Sequence, residues 1–110
     1  MATTYKVLAQ AAPANTSNAN LYTVPSATSA VISTLHIANV TGTAATATVY
    51  VRVGGAAAAD SNALFKSLSV PANSLYAFTE GITLATTDII TVQSGTSNAL
   101  TFHAFGSEIS

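Results

Sequence analysis

The chain has no cysteine, no tryptophan and one methionine, and only seven of its 110 side chains are Asp, Glu, Lys or Arg. Without cysteine there is no disulfide, no thiolate nucleophile, no iron–sulfur cluster and no cysteine-ligated zinc. The shortage of charge excludes more. A domain of this length ordinarily carries about 27 charged residues. Three cations, Lys6, Arg52 and Lys66, cannot build the basic patch that phosphate binding needs, and the net charge is −1, so nucleic acid is not expected as a partner. No acidic tract and no basic amphipathic stretch is present. Long apolar runs are missing as well. Hydrophobic residues make up 49% of the chain, yet Thr, Ser and Asn interrupt every run, so a membrane is not an expected partner. Met1–Ala12 lacks the charged and hydrophobic regions of a signal peptide.

What is present is alternation with a period of two. In Thr46–Val53, Ala47, Val49, Val51 and Val53 share one face, and Thr46, Thr48, Tyr50 and Arg52 the other. Ala30–Asn39 puts Val31, Leu35 and Ile37 on one face and Ile32, Thr34 and His36 on the other. Leu100, Phe102 and Ala104 alternate with Thr101, His103 and Phe105. Further strands are predicted at Tyr5–Leu8, Leu21–Val24, Leu64–Val70, Ser74–Thr79 and Ile89–Gln93. Turns follow from Pro25, Asn39–Gly42, Pro71–Ser74, Gly81 and Gly95, and the Ala-rich stretch Gly54–Asn62 is the longest internal loop. The fold class is therefore all-β: a single antiparallel β-sandwich or jelly-roll-like domain of about eight short strands. Residues 1–20 form an N-terminal segment with its first strand near 5–8, from which Thr3–Asn20 is a candidate arm. Residues 21–110 form the body of one domain. A β-solenoid is not expected, because the Thr-rich segments share no fixed period.

No catalytic site is expected. A Ser-His-Asp set exists on paper, but the chain has no G-x-S-x-G elbow. His36 and His103 share a metal only if their strands are adjacent and in register, and no neighbouring carboxylate or further histidine completes three or four ligands. Neither a metal nor a cofactor is expected. On outward strand positions the two histidines suit a subunit contact, including a pH-sensitive one. Asn39-Val40-Thr41 matches a glycosylation sequon without a secretory signal beside it. Alternation places Tyr50, Phe65 and Phe105 away from the inferred core. A loop such as Gly54–Asn62 or the N-terminal segment can cover such positions. The alternative, favoured here, is that they pack on neighbouring subunits, because interfaces gather aromatics and shed Lys, Glu and Asp. Tyr50, Phe65, Phe105, His36 and His103 are thus the candidate interface residues.

Three segments carry a resemblance to a known group: Tyr5–Gln10 with Ala11-Ala12-Pro13-Ala14; Leu21–Pro25 running into Ala30–Asn39; and Asp88–Gln93 followed by Leu100–Glu108. In these the chain resembles small β-sandwich virion structural proteins of tailed bacteriophages. The resemblance implies a non-enzymatic capsid decoration or cement protein, assembled in the host cytoplasm and bound to the head surface. Its implied partners are further copies of itself, as a homotrimer over capsomer junctions, and the major capsid protein. Relatives in the group also occur on tails and fibres, so an accessory domain recognising a host glycan or another virion protein is the alternative. Where the resemblance leads one to expect glycine, at Ala9 and Ala27, this chain has alanine.

Overall fold

The structure is a computed structural model that describes residues 2–110. It contains β1 (Thr3–Ala11), β2 (Ala19–Thr23), β3 (Ser29–Asn39), β4 (Ala45–Arg52), β5 (Ala63–Val70), β6 (Leu75–Phe78), β7 (Ile82–Leu84), β8 (Ile89–Ser94) and β9 (Leu100–Ile109). Short 3-10 turns at Val53–Gly55 and Asp60–Asn62 interrupt the β4–β5 connection. The expected strands are all present. The additional one is the three-residue β7, too short to show a period in sequence.

All pairings are antiparallel, and they build two sheets. The first runs β1-β9-β3, with β6 and β7 sharing the far edge of β3; the second runs β2-β8-β4-β5. β6 lies along Leu35–Ala38 and β7 along Ala30–Ile32, so the two act as one strand broken at residues 79–81. Counted that way, the first strand pairs with the last, the second with the one before it, and the chain winds inward to the β4–β5 hairpin. This is the strand order of a jelly-roll sandwich.

Apolar residues from both inner faces meet between the sheets. Phe102, Ile32, Leu35 and Ile37 of the first sheet and Val49, Val70, Ile90 and Val92 of the second are fully buried. β4 and β9 face as their alternation predicts. β3 does not: Ile32, Leu35 and Ile37 point inward, while Val31 is only half-buried. A bulge explains the change of phase. Between Ile32 and Thr34 the register against β9 shifts by one, so Ser33 is the extra residue and the pleat resumes one position later. Similar irregularities interrupt β1 between Val7 and Ala9, β2 between Asn20 and Tyr22, and the β4–β5 ladder twice.

Polar groups fasten the ends. Asn39 is buried in the β3–β4 turn, where its amide nitrogen donates to the Thr43 carbonyl at 2.9 Å and the Val70 carbonyl at 3.1 Å. Its side-chain oxygen accepts from the Thr41 N–H and hydroxyl. Every bonding direction of the amide is used, so the sequon asparagine is a turn staple. Ala27, where the family resemblance suggests glycine, has φ +54° in its turn, the left-handed region that glycine enters most readily.

The two long sides of the sandwich are closed differently. On the β5/β6 side, Phe65 stacks on Phe78 at 4.7 Å between ring centroids, and Tyr76 lies against Phe78 at 6.2 Å. On the β1/β2 side, Lys6 Nζ lies 2.7 Å from Glu108 Oε1, and the Tyr22 hydroxyl donates to Glu108 Oε2. Hydrogen bonding from Lys6 first and Tyr22 second holds the Glu108 carboxyl below the usual glutamate range. Burial first, and then the Glu108 carboxylate, push the Tyr22 hydroxyl up. Because the carboxyl is more acidic folded than unfolded, its contribution is complete above the ordinary glutamate value of about 4.3 and is lost as pH falls through the folded-state value. Urea midpoints measured from pH 7 down to pH 2 are therefore expected to decline below about pH 4. Glu108→Gln should flatten that decline, and superimposable acid profiles for the two proteins would contradict the assignment.

Candidate functional site

The outer faces of the two sheets differ in what covers them. On the second sheet, Arg52 donates from Nε to the Ala56 carbonyl at 2.6 Å and from one terminal nitrogen to the Gly55 carbonyl at 3.1 Å. The other terminal nitrogen reaches Asn20 Oδ1 at 3.1 Å and Thr91 Oγ1 at 3.2 Å. The guanidinium thus folds the Ala-rich loop back against the sheet and ties β2, β4 and β8 together. Gln93 adds a bond of 2.9 Å to the Thr16 carbonyl, which draws the β1–β2 connection over the same face. Thr91 is 1% exposed and Tyr50 8%, although both lie on the outer side. The chain thus covers the middle of this face itself, while Thr23, Thr46 and Ser69 at its margins stay exposed.

The first sheet has no such cover. Pairing arranges its outer side chains in rows across the strands. One row runs Ala77, His36, His103, Gln10 over β6, β3, β9 and β1. The next runs Thr34, Phe105, Val7, and beyond it lie Thr83, Val31, Ser107 and Tyr5. On the other flank, Leu75, Ala38 and Thr101 follow. Tyr5 is 84% exposed, and Val7 and Leu75 are about half exposed.

None of the seven charged residues lies in these rows. Lys6, its side chain 45% exposed, pairs with Glu108 on the β1/β2 side, and Glu108 also accepts from Tyr22. Lys66 pairs with Asp60 at 2.6 Å beside the second sheet, and this contact raises the Lys66 pKa. Asp88 is buried, accepting from the Gly54 N–H at 2.8 Å and the Ala85 N–H at 2.9 Å. Arg52 is bound to its loop, and Glu80 is exposed on the connection between β6 and β7. The few charges therefore serve the interior, the ends and the loops, and a face four strands wide is left with hydroxyl, amide, imidazole and apolar groups. Burying such a face forfeits little charge solvation, which makes it suited to association.

His36 and His103 are directly opposite on adjacent strands, with ring centroids 5.8 Å apart and planes at 68°. Phe105 lies parallel to the His103 ring at 6.0 Å. Gln10 Nε2 is 3.1 Å from His103 Nδ1. Three of the five expected interface residues, His36, His103 and Phe105, thus form one half-buried cluster at the centre of the uncharged face. The other two lie elsewhere. Tyr50 points outward as expected but is buried under its own loop. Phe65 points inward, against the expectation, because Ser67 takes φ +53° in a bulge and Phe65 pairs with Val49 on the core side. Thr3–Ala11, part of the candidate arm, is paired along β9 within the same chain, and the Asn98 N–H binds the Pro13 carbonyl at 3.1 Å.

Tyr5, Val7 and Leu75 join the face without having been singled out from sequence. The available signal was the alternation of Tyr5 and Val7 about Lys6, which stays exposed while pairing with Glu108 at the edge of the sandwich. No protein-family model matches the chain, and a comparison with curated proteins finds no match.

Proposed function

We propose that this chain is a non-enzymatic virion structural protein, a capsid decoration protein that acts by docking the uncharged outer face of its first sheet. One observation carries the reading: four adjacent strands present a face free of charge, while only the opposite sheet has the middle of its outer face buried. Burial of such a face is expected on further copies of the chain, as a homotrimer, and on the major capsid protein at the head surface. The mechanism is mechanical. Apolar burial contributes about 25 cal/mol per Å², offset in large part by lost rotational and translational freedom, and many weak attachments on one shell then act together. Jelly rolls recur among viral capsid and lectin domains, an analogy of architecture that supports the reading without identifying the partner.

The test is to purify particles made by cells that express the chain, with and without its gene. The expected result is a copy number in fixed ratio to the capsid protein, density on the head, and loss of resistance to heat or osmotic shock when the chain is missing. Binding should change little between 0.05 and 1 M NaCl, about a threefold or greater range of Debye length, because the docking face has no charges to screen. Absence from the particles would overturn the proposal, and density confined to the tail or fibre would replace it with an accessory role there.

A further inference from the structure

We propose that His36 and His103 chelate a divalent transition-metal ion, of the zinc, nickel or copper class, on the outer face of the first sheet. The inference goes beyond the docking role and stands without it. In sequence these residues are 67 positions apart and incomplete as a ligand set. The jelly roll brings them together, because β3 and β9 pair along their full length with His36 opposite His103.

The geometry suits two bonds to one ion. Two imidazoles on a tetrahedral zinc, with Zn–N bonds of about 2.0–2.1 Å, have ring centroids roughly 5 Å apart. The observed separation is 5.8 Å, with the planes already strongly inclined, so side-chain rotation closes the difference and the strands need not move. Both rings are half-buried on an outer face, open to solvent yet limited in their rotamers. The parallel Phe105 ring holds one side of His103.

Gln10 supplies the outer support that ligating histidines commonly have. It already sits at hydrogen-bond distance from His103 Nδ1. With its amide turned over, its oxygen accepts from Nδ1–H, which fixes the tautomer that leaves Nε2 for the ion. Imidazole is the ligand type preferred by zinc, copper and nickel over magnesium or calcium. No cation lies in the rows around the pair to oppose an arriving ion. Among the described residues no third histidine or carboxylate completes the set, so water fills the remaining positions.

The experiment is calorimetric titration of the full chain with Zn2+ and with Ni2+ at pH 7.5, alongside amide NMR. Saturable uptake of one ion per chain is expected, with shifts centred on His36, His103 and Gln10. His36→Gln and His103→Gln should each abolish saturable uptake, and Gln10→Ala should weaken it about tenfold or more. All three side chains are on the outer face, so the core packing is untouched, and circular dichroism checks that the variants remain folded. Failure of the wild-type chain to saturate below millimolar metal would overturn the proposal. So would uptake that survives both histidine substitutions.

Discussion

Replacing Gly106 with alanine is expected to destabilise the chain by about 3 kcal/mol or more, at the upper end of what overpacking costs. Gly106 sits in β9, between β1 and β3, opposite Ile32 where the Ser33 bulge begins. A Cβ there would fall onto the Val31 carbonyl oxygen, 2.9 Å from its carbonyl carbon and 3.0 Å from Ile32 Cα. Every obstructing atom is backbone, so no rotamer change relieves the clash. Either the β3–β9 ladder opens or the bulge is lost, and losing the bulge would reverse the facing of Val31 and Ile32. Small domains are typically stable by 5–15 kcal/mol, so the loss would be evident in a urea or thermal melt. Gly95 provides the contrast. Its Cβ would meet chiefly the Thr46 side-chain hydroxyl, an exposed group that can turn away. Gly95→Ala should cost clearly less, and equal costs for the two substitutions would contradict this account.

The second large effect concerns association and leaves the fold intact. Phe105→Glu puts a carboxylate between Thr34 and Val7, in the middle of the face that carries no charge. As a free surface residue the glutamate is solvated, so the melt should move by less than about 1 kcal/mol beyond the lost stacking on His103. Once the face is covered, that charge is buried without a partner, a penalty of about 3–5 kcal/mol. Binding to particles and self-association should then weaken by a factor of about 100 to several thousand. Glu80→Gln, on the loop between β6 and β7, is the control and should leave both unchanged. Sedimentation of the variants together with quantitative particle binding decides the matter. If Phe105→Glu binds as well as the parent, docking through this face is wrong.

The sequence was informative wherever the pleat runs without interruption. The facings of Thr46–Arg52 and Leu100–Phe105 follow from alternation alone, whereas Val53, expected on the core face, leaves the strand for a 3-10 turn and is 70% exposed. Pro71–Ser74 forms the tight turn that its residues predict: the Ser74 N–H reaches the Pro71 carbonyl at 3.2 Å and Asn73 takes φ +53°. Alternation fails at bulges, because an extra residue reverses every later side chain and leaves no compositional mark when that residue is serine. Ser33 and Ser67 are both of this kind, and they account for the reversed facings within β3 and of Phe65. The covering of Tyr50 was hidden for another reason. On that face Arg52 holds its own loop through the Gly55 and Ala56 carbonyls and also reaches Asn20 on β2 and Thr91 on β8, partners far off in sequence that no local pattern records. The charge count, in contrast, carried through to the structure. What it could not show was that the charges are withdrawn from one sheet in particular, since Lys6 and Glu108 alternate with exposed neighbours and would ordinarily be placed outside.

The irregular edges have a consequence for how such molecules can meet. A regular border strand exposes unpaired N–H and C=O groups that invite another chain to add itself and then another, without limit. Here the border strands β1, β2 and β5 each carry a register break, and the fourth border is split into β6 and β7. A nearly uncharged chain has little repulsion to keep its copies apart, so these breaks take over that task. They deny growth in the direction of the backbone ladders and leave contact through side chains, where shape sets a stopping point. That distinction separates a finite assembly from a fibril.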